Sequence, residues 1–474
     1  MNRQVWLLTL LALLLVPAPA AGQLRYMGSL DLREQFNSDV QAGVVTEPGV
    51  PETDPQWDFV TEIEPTVRLY YNTPRHLLSL RYSLLFQVYA RTMDAQEDRN
   101  LLGYANTLNA GYGYVIQRGT ELAFQNRLSQ GTEQAMVSGY MAGSTPRAGY
   151  HTTGSKFLTD TLVMGLGHEF NARWALLSRV SGDVYLAYDR FIDDDNRLIP
   201  PPWNFGVAVD ESLQRNFGVG VFRVDLSYGW VRQYYDQEIR PFRGAFPEEL
   251  DTMMGAAMLG WQQRLSEQWD YSLGLGVDVR ALQEYEVVGQ CLNVGGVPTC
   301  TAENRGYGDP GWGPAGEVML RFTWQHWLGA TLGYSHRTQR YIENRVGVAA
   351  EADEVGAGFY AYLDKWHFDA NGAFRYMRIS SQQLGAESET ATMLGRAHAG
   401  VAYVIIPGVS IDLAYDFEAT EDAVSYQWQQ QQAGGPVSTE PVSYSYMRHL
   451  VTFGLSLAWP PPPPQELRFM RRES

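Results

Sequence analysis

Long apolar runs are what this 474-residue chain lacks. Beyond the first sixteen residues no segment approaches the roughly 18 to 20 unbroken apolar residues that a membrane-spanning helix needs. Cysteine is almost missing as well: Cys291 and Cys300 are the only two, so a disulfide-dense scaffold is excluded. Charge is sparse at 19%, and 36 Lys+Arg face 53 Asp+Glu for a net charge of −17. So few cations leave no concentrated basic surface for phosphates, so nucleic acid is not an expected partner. The eight histidines, His76, His151, His168, His326, His336, His367, His398 and His449, are scattered. No spacing sets two of them on one face beside a carboxylate or cysteine, as metal ligation requires. Ser335-His336 has no placed third partner for nucleophilic catalysis, and Asp193-Asp194-Asp195 reads as a solvated loop. No catalytic, cofactor-binding or metal-binding residue is assigned, and an enzyme is not expected.

What is present begins with a leader-like segment. Arg3 precedes an apolar run of 12 residues from Val5 to Val16, followed by Pro17 and the small residues Ala18 to Gly22. This pattern reads as a cleavable secretory signal over residues 1–22. In an oxidising compartment Cys291 and Cys300, close together in a Gly/Pro/Asn-rich stretch, are expected to pair and staple one loop.

From Leu24 onward the chain alternates apolar and polar residues in long segments. In His449–Trp459, Val451, Phe453, Leu455, Leu457 and Trp459 point one way, while Leu450, Thr452, Gly454, Ser456 and Ala458 point the other. A small, polar face turned toward water inverts what a soluble sandwich needs, and fits a barrel with apolar residues on lipid. Leu78 to Val88, Phe222 to Trp230, Tyr271 to Val277 and Val318 to Trp324 carry the same stripe.

Short turns at Asn72–Arg75, Gln117–Gly119, Asn171–Arg173, near Asn216, at Leu265–Gln268, Gln325–His326, Asp364–Lys365 and Pro407–Gly408 alternate with longer connections. The longer ones fall near 38–56, 92–101, 131–155, 190–204, 237–250, 286–312, 343–352, 383–389 and 422–443. Nine long and eight short connections with both ends in the periplasm require eighteen strands. The expectation is an all-β, transmembrane, antiparallel up-and-down β-barrel over residues 23–459, in the cell outer membrane. Weak alternation from Asp210 to Asn216 makes sixteen the alternative count. A Pro-rich tail at 460–474 is expected to be a periplasmic extension.

The polar face gives the candidate lumen-lining residues: Arg33, Glu62, Glu64, Arg68, Arg81, Arg127, Arg179, Asp183, Arg223, Asp225, Asp278, Arg280, Glu317, Arg321, Arg375 and Arg396. Over the whole polar face, with Arg25, Asp31, Asp58, Arg91, Glu121, Asp369, Asp412, Asp416 and Glu418 added, both signs occur in similar number, which suits a transverse field that orients polar solutes without strongly selecting either charge. A barrel of 16 to 18 strands is wide enough for an aqueous channel. The long connections 131–155, 286–312 and 422–443 are candidate plugs or lids.

With Trp459 in the terminal-strand position and no large added domain, the chain resembles Gram-negative outer-membrane barrels of the 16–18-strand class. Within that class it looks like the alginate exporter and the barrel components of exopolysaccharide machines. The resemblance is architectural and carries over no residue. It implies passage of a secreted polysaccharide, with a periplasmic export protein as partner, and Tyr and Trp available for sugar stacking. The mixed lumen points away from a strongly anionic polymer. The alternative is a general or selective uptake porin; a membrane-embedded hydrolase and an adhesive barrel stand further off. The expected partners are thus outer-membrane lipid and a hydrophilic polymer or solute.

Overall fold

The computed structural model describes residues 23–38, 57–90, 102–132, 156–188, 203–234, 249–294, 297–307, 311–325, 327–342, 347–383, 386–428 and 439–460. The leader, most of the tail, Arg91 and large parts of the 131–155 and 422–443 connections lie outside these residues, together with the expectations made for them.

Every regular element described is a β-strand. The first six are β1 (Gln23–Asn37), β2 (Asp58–Asn72), β3 (His76–Tyr89), β4 (Leu102–Gln117), β5 (Thr120–Thr132) and β6 (Lys156–Asn171). Then come β7 (Trp174–Tyr188), β8 (Trp203–Asn216), β9 (Gly220–Tyr234), β10 (Glu249–Arg264), β11 (Trp269–Val294) and β12 (Val297–Tyr307). The chain continues through β13 (Gly311–Trp324), β14 (Leu328–Ile342), β15 (Gly347–Leu363) and β16 (Trp366–Gln383). It ends with β17 (Ala386–Ile406), β18 (Val409–Trp428) and β19 (Thr439–Trp459). All pairings are antiparallel, and β1 bonds to both β2 and β19, so the sheet closes on itself.

Nineteen strands make an eighteen-strand ring because β11 serves twice. Its lower part, Trp269 to Arg280, pairs with β13. Its upper part, from Gln283, pairs with β12 in a hairpin above the ring. The 286–312 connection is therefore largely strand, not loop. Likewise only two residues separate β16 from β17, so the long connection expected at 383–389 is a tight one. The strand extensions escape sequence reading because both faces are polar where a strand rises above the membrane, and period-2 alternation vanishes.

Eight short turns close one end of the barrel, taken as the periplasmic, lower end. Gly119, Gly218 and Gly408 adopt positive φ there, at 80°, 86° and 87°. In the turn after Asn216, the Gly218 amide donates to Asn216 Oδ1 at 2.7 Å. β8 and β9 both form, which decides for eighteen strands. The weak alternation of β8 has a local cause: its outer face carries two polar residues, each with a partner. Ser178 Oγ donates to Glu211 at 2.5 Å, and the Arg215 guanidinium sits over the rings of Trp174 and Phe217 at 5.0 and 4.6 Å.

The outer face is apolar and open, with Leu226, Tyr228, Leu259, Leu275, Val277, Leu332, Phe374, Leu413 and Phe453 all exposed. In water such a surface would be an aggregation hazard; against hydrocarbon it is required. Closure matters equally, because an open edge in lipid would leave backbone donors and acceptors unpaired. The chain is an outer-membrane β-barrel.

Candidate functional site

The inner wall is the candidate site, and strand register fixes which residues share it. From Arg33 the pairing runs to Glu62 and on to Gln87. Another row runs Met27, Arg68, Arg81, Asn109, Arg127, Thr161, Asp183. Continuing the parity around the ring sets all sixteen candidate residues on the face opposite the exposed apolar stripe.

One sector, from β15 through β19 to β3, holds a network of paired charges. Arg33 lies 3.9 Å from both Glu62 and Glu64, and Arg81 lies 3.6 Å from Glu64. Gln87 donates to Glu62 at 2.7 Å, and Arg448 donates to Glu418 at 2.5 Å. Arg375 Nε donates to Glu354 at 2.7 Å. His398 bridges two carboxylates, Asp416 at 2.6 Å and Asp369 at 2.8 Å. Sequence reading did not single out Arg448, Glu354 or His398. Their signal was inward parity alone, which does not tell which inward residues will meet.

A second sector shows how the wall keeps long side chains out of the bore. Arg223, Gly260, Gly274 and Glu317 form one continuous cross-strand row over β9, β10, β11 and β13. Arg223 nonetheless reaches Glu317 at 3.1 Å, because both side chains lie flat over the two glycines between them. A Cβ at position 260 would stand 3.0 Å from Arg223 Nε, and one at 274 would stand 2.9 Å from Glu317 Cγ. Arg337 completes the strap by donating to the other oxygen of Glu317. The same device recurs where Arg280 lies over Gly311, Asp278 over Gly313 and Asp412 over Gly454. Inward glycine thus creates room for its charged neighbour to lie down.

The wall is also creased. The backbones of β10 and β15, with three strands between them around the ring, approach within 8 Å of each other. Flat spacing at about 4.8 Å per strand would hold them far wider. Small residues permit the crease: Gly311, Gly313, Ala315 and Gly316 line β13, and Ala352 on β15 is completely buried.

Inward exposure varies around the wall. Glu121, Gln125 and Arg127 on β5, Arg179 on β7, and Arg321 and Thr331 opposite are open to solvent. Val60, Phe157, Tyr185 and Val231, near the upper ends of their strands, are buried. Among strand residues with described side chains, register turns six aromatics inward: Tyr70, Tyr89, Phe157, Tyr185, Tyr360 and Tyr362. All six sit near strand ends, and every such tryptophan faces outward. No aromatic track runs through mid-lumen among these residues. Cys291 and Cys300 lie on facing strands of the β11–β12 hairpin, each adjacent to the Leu292–Thr299 pair. No group of His, Cys, Asp and Glu suited to a metal occurs among the described residues.

No protein-family model matches the chain, and no curated protein matches it. Among solved structures it is similar to the FrpB iron transporter of Neisseria meningitidis, at 8% identity and a TM-score of 0.47, over 91% of this chain and 81% of that one. It is also similar to the copper transporter OprC, at 9% identity and 0.46, over 94% and 81%. The siderophore receptor PirA of Pseudomonas aeruginosa gives 8% identity and 0.43, again over 94% and 81%. Similarity at this level says nothing of this chain's cargo.

Proposed function

We propose that the barrel is a diffusion channel for small hydrophilic solutes, the uptake alternative, in preference to a passage for secreted polysaccharide. The observation that carries this reading is the flattening of long charged side chains over inward glycines, with polar residues of β5, β7 and β14 left open to solvent. Such a wall presents water and fixed charge to a solute, as a diffusion pore requires. A sliding glycan would be served by stacking surfaces along the axis, and among the described residues the inward aromatics sit near the strand ends instead. The sixteen inward charged residues act in this reading as the lining that orients solutes by their dipoles.

The test has two arms. Purified protein in planar bilayers should conduct potassium chloride, and in liposomes it should admit sugars and amino acids at rates that fall with solute size. A deletion strain should keep its surface polysaccharide. A silent bilayer, together with surface polymer lost on deletion and restored by the intact gene, would overturn the proposal in favour of export.

A further inference from the structure

We propose that Arg68 and Arg81, on the inner wall of β2 and β3, form a docking site for an oxyanion, a carboxylate or phosphate carried by the passing solute. The proposal rests on the channel reading and gives it a substrate class.

The two arginines are direct cross-strand partners. Like charges set opposite each other on one face of a sheet repel, so an unrelieved pair is unfavourable. Arg68 is only 9% exposed, and among the described residues it has no hydrogen-bond or ion-pair partner. Its Nε and that of Arg81 are sealed from water without an acceptor, as is the Thr66 hydroxyl two residues along the same face. The Nη atoms of Arg68 are not sealed and stay open. A buried cation left unpaired is costly, and natural structures seldom keep one without use.

Nearby carboxylates do not relieve it. Glu64 is divided between Arg81 at 3.6 Å and Arg33 at 3.9 Å. Glu62 accepts from Gln87 at 2.7 Å and lies 3.9 Å from Arg33. Asp31 pairs in register with Glu64, on the upper side of the arginines. The pair's own neighbours in its row, Met27 and Asn109, are not carboxylates, and the row's acid, Asp183, stands four strands beyond Arg81. A planar or tetrahedral oxyanion bridging two guanidiniums would accept several charge-assisted bonds at once, the geometry for which arginine is suited. Arg127, exposed and one strand beyond Asn109, then offers the next cationic position for an anion leaving the pair.

The test uses the full-length protein in detergent, titrated calorimetrically with succinate and separately with inorganic phosphate, sucrose being the neutral control. Wild type should bind at least one oxyanion saturably, and the stronger of the two identifies the source chemistry. R68Q and R81Q should each weaken that binding tenfold or more, while R173Q, in the exposed turn between β6 and β7, leaves it unchanged. R68Q should also melt higher than wild type in the absence of ligand, since it removes an unrelieved repulsion; a purely structural Arg68 would make it melt lower. Absent saturable binding by wild type, or wild-type affinity retained in R68Q and R81Q, would overturn the site. Bilayer conductance of wild type separates the two proposals. A conducting protein that binds no oxyanion loses the site alone, and a binding protein that does not conduct loses the channel alone.

Discussion

Replacing Gly260 by leucine tests whether side-chain flattening sets the bore. The space at position 260 is occupied by Arg223, with Nε at 3.0 Å, Nη2 at 3.1 Å and Cβ at 3.5 Å from where a Cβ would be. All three are atoms of one flexible side chain, so the backbone can stay and Arg223 must rise into the lumen. That breaks the 3.1 Å contact to Glu317, a pair whose side chains are 23% and 28% exposed. A partly sheltered pair of this kind is worth about 1 kcal/mol. The gain from replacing glycine inside a strand, roughly 0.5 to 1 kcal/mol, offsets most of that loss. Urea unfolding in lipid vesicles should therefore show a change below about 1 kcal/mol. Single-channel conductance should fall clearly, because a guanidinium now stands in the path. A folded Gly260→Leu variant with wild-type conductance would refute the reasoning: either Arg223 does not lie over that glycine, or solute does not pass it.

Phe453→Arg, mid-strand on the lipid face of β19 and 55% exposed, should destabilise the inserted barrel by about 2–4 kcal/mol, with little effect on conductance; equilibrium unfolding in vesicles reads this. His398→Leu leaves Asp369 and Asp416 facing each other without their bridge. It should lower stability by about 1–2 kcal/mol, the net worth of two partly exposed charge-assisted bonds, and an unchanged melting temperature would show that the bridge is dispensable. Cys291 and Cys300, on facing strands of the β11–β12 hairpin, should resist alkylation in the oxidised protein and take up two alkyl groups after reduction. Labelling without reductant would remove the staple.

The barrel was legible because its two faces meet different solvents. Where a strand crosses hydrocarbon, as at Val451 to Trp459, alternation is strong and its boundaries follow closely. Where both faces are wet, as along Gln283 to Val294, the pattern fades, and periodicity alone gives a loop where the β11–β12 hairpin stands. Inward parity was equally readable, and it located Arg68 and Arg81. That they stand directly opposite each other depends on register across the turn from Asn72 to His76, which a single strand's periodicity does not contain. The Arg223–Glu317 strap is further from reach, since it joins residues three strands apart through two glycines whose common feature is a missing side chain.

The crease between β10 and β15 gives this membrane tube a third environment besides lipid and water. Met258, Ala315 and Ala352 point inward yet are buried, so part of the wall encloses a small dry core, as two packed sheets of a soluble protein do. Amides in such a sector open only when that packing is lost, so they should exchange with deuterium more slowly than those of the β5–β7 wall at equal depth in the membrane. The barrel would then loosen unevenly under denaturant, with β10 to β15 the last arc to let go.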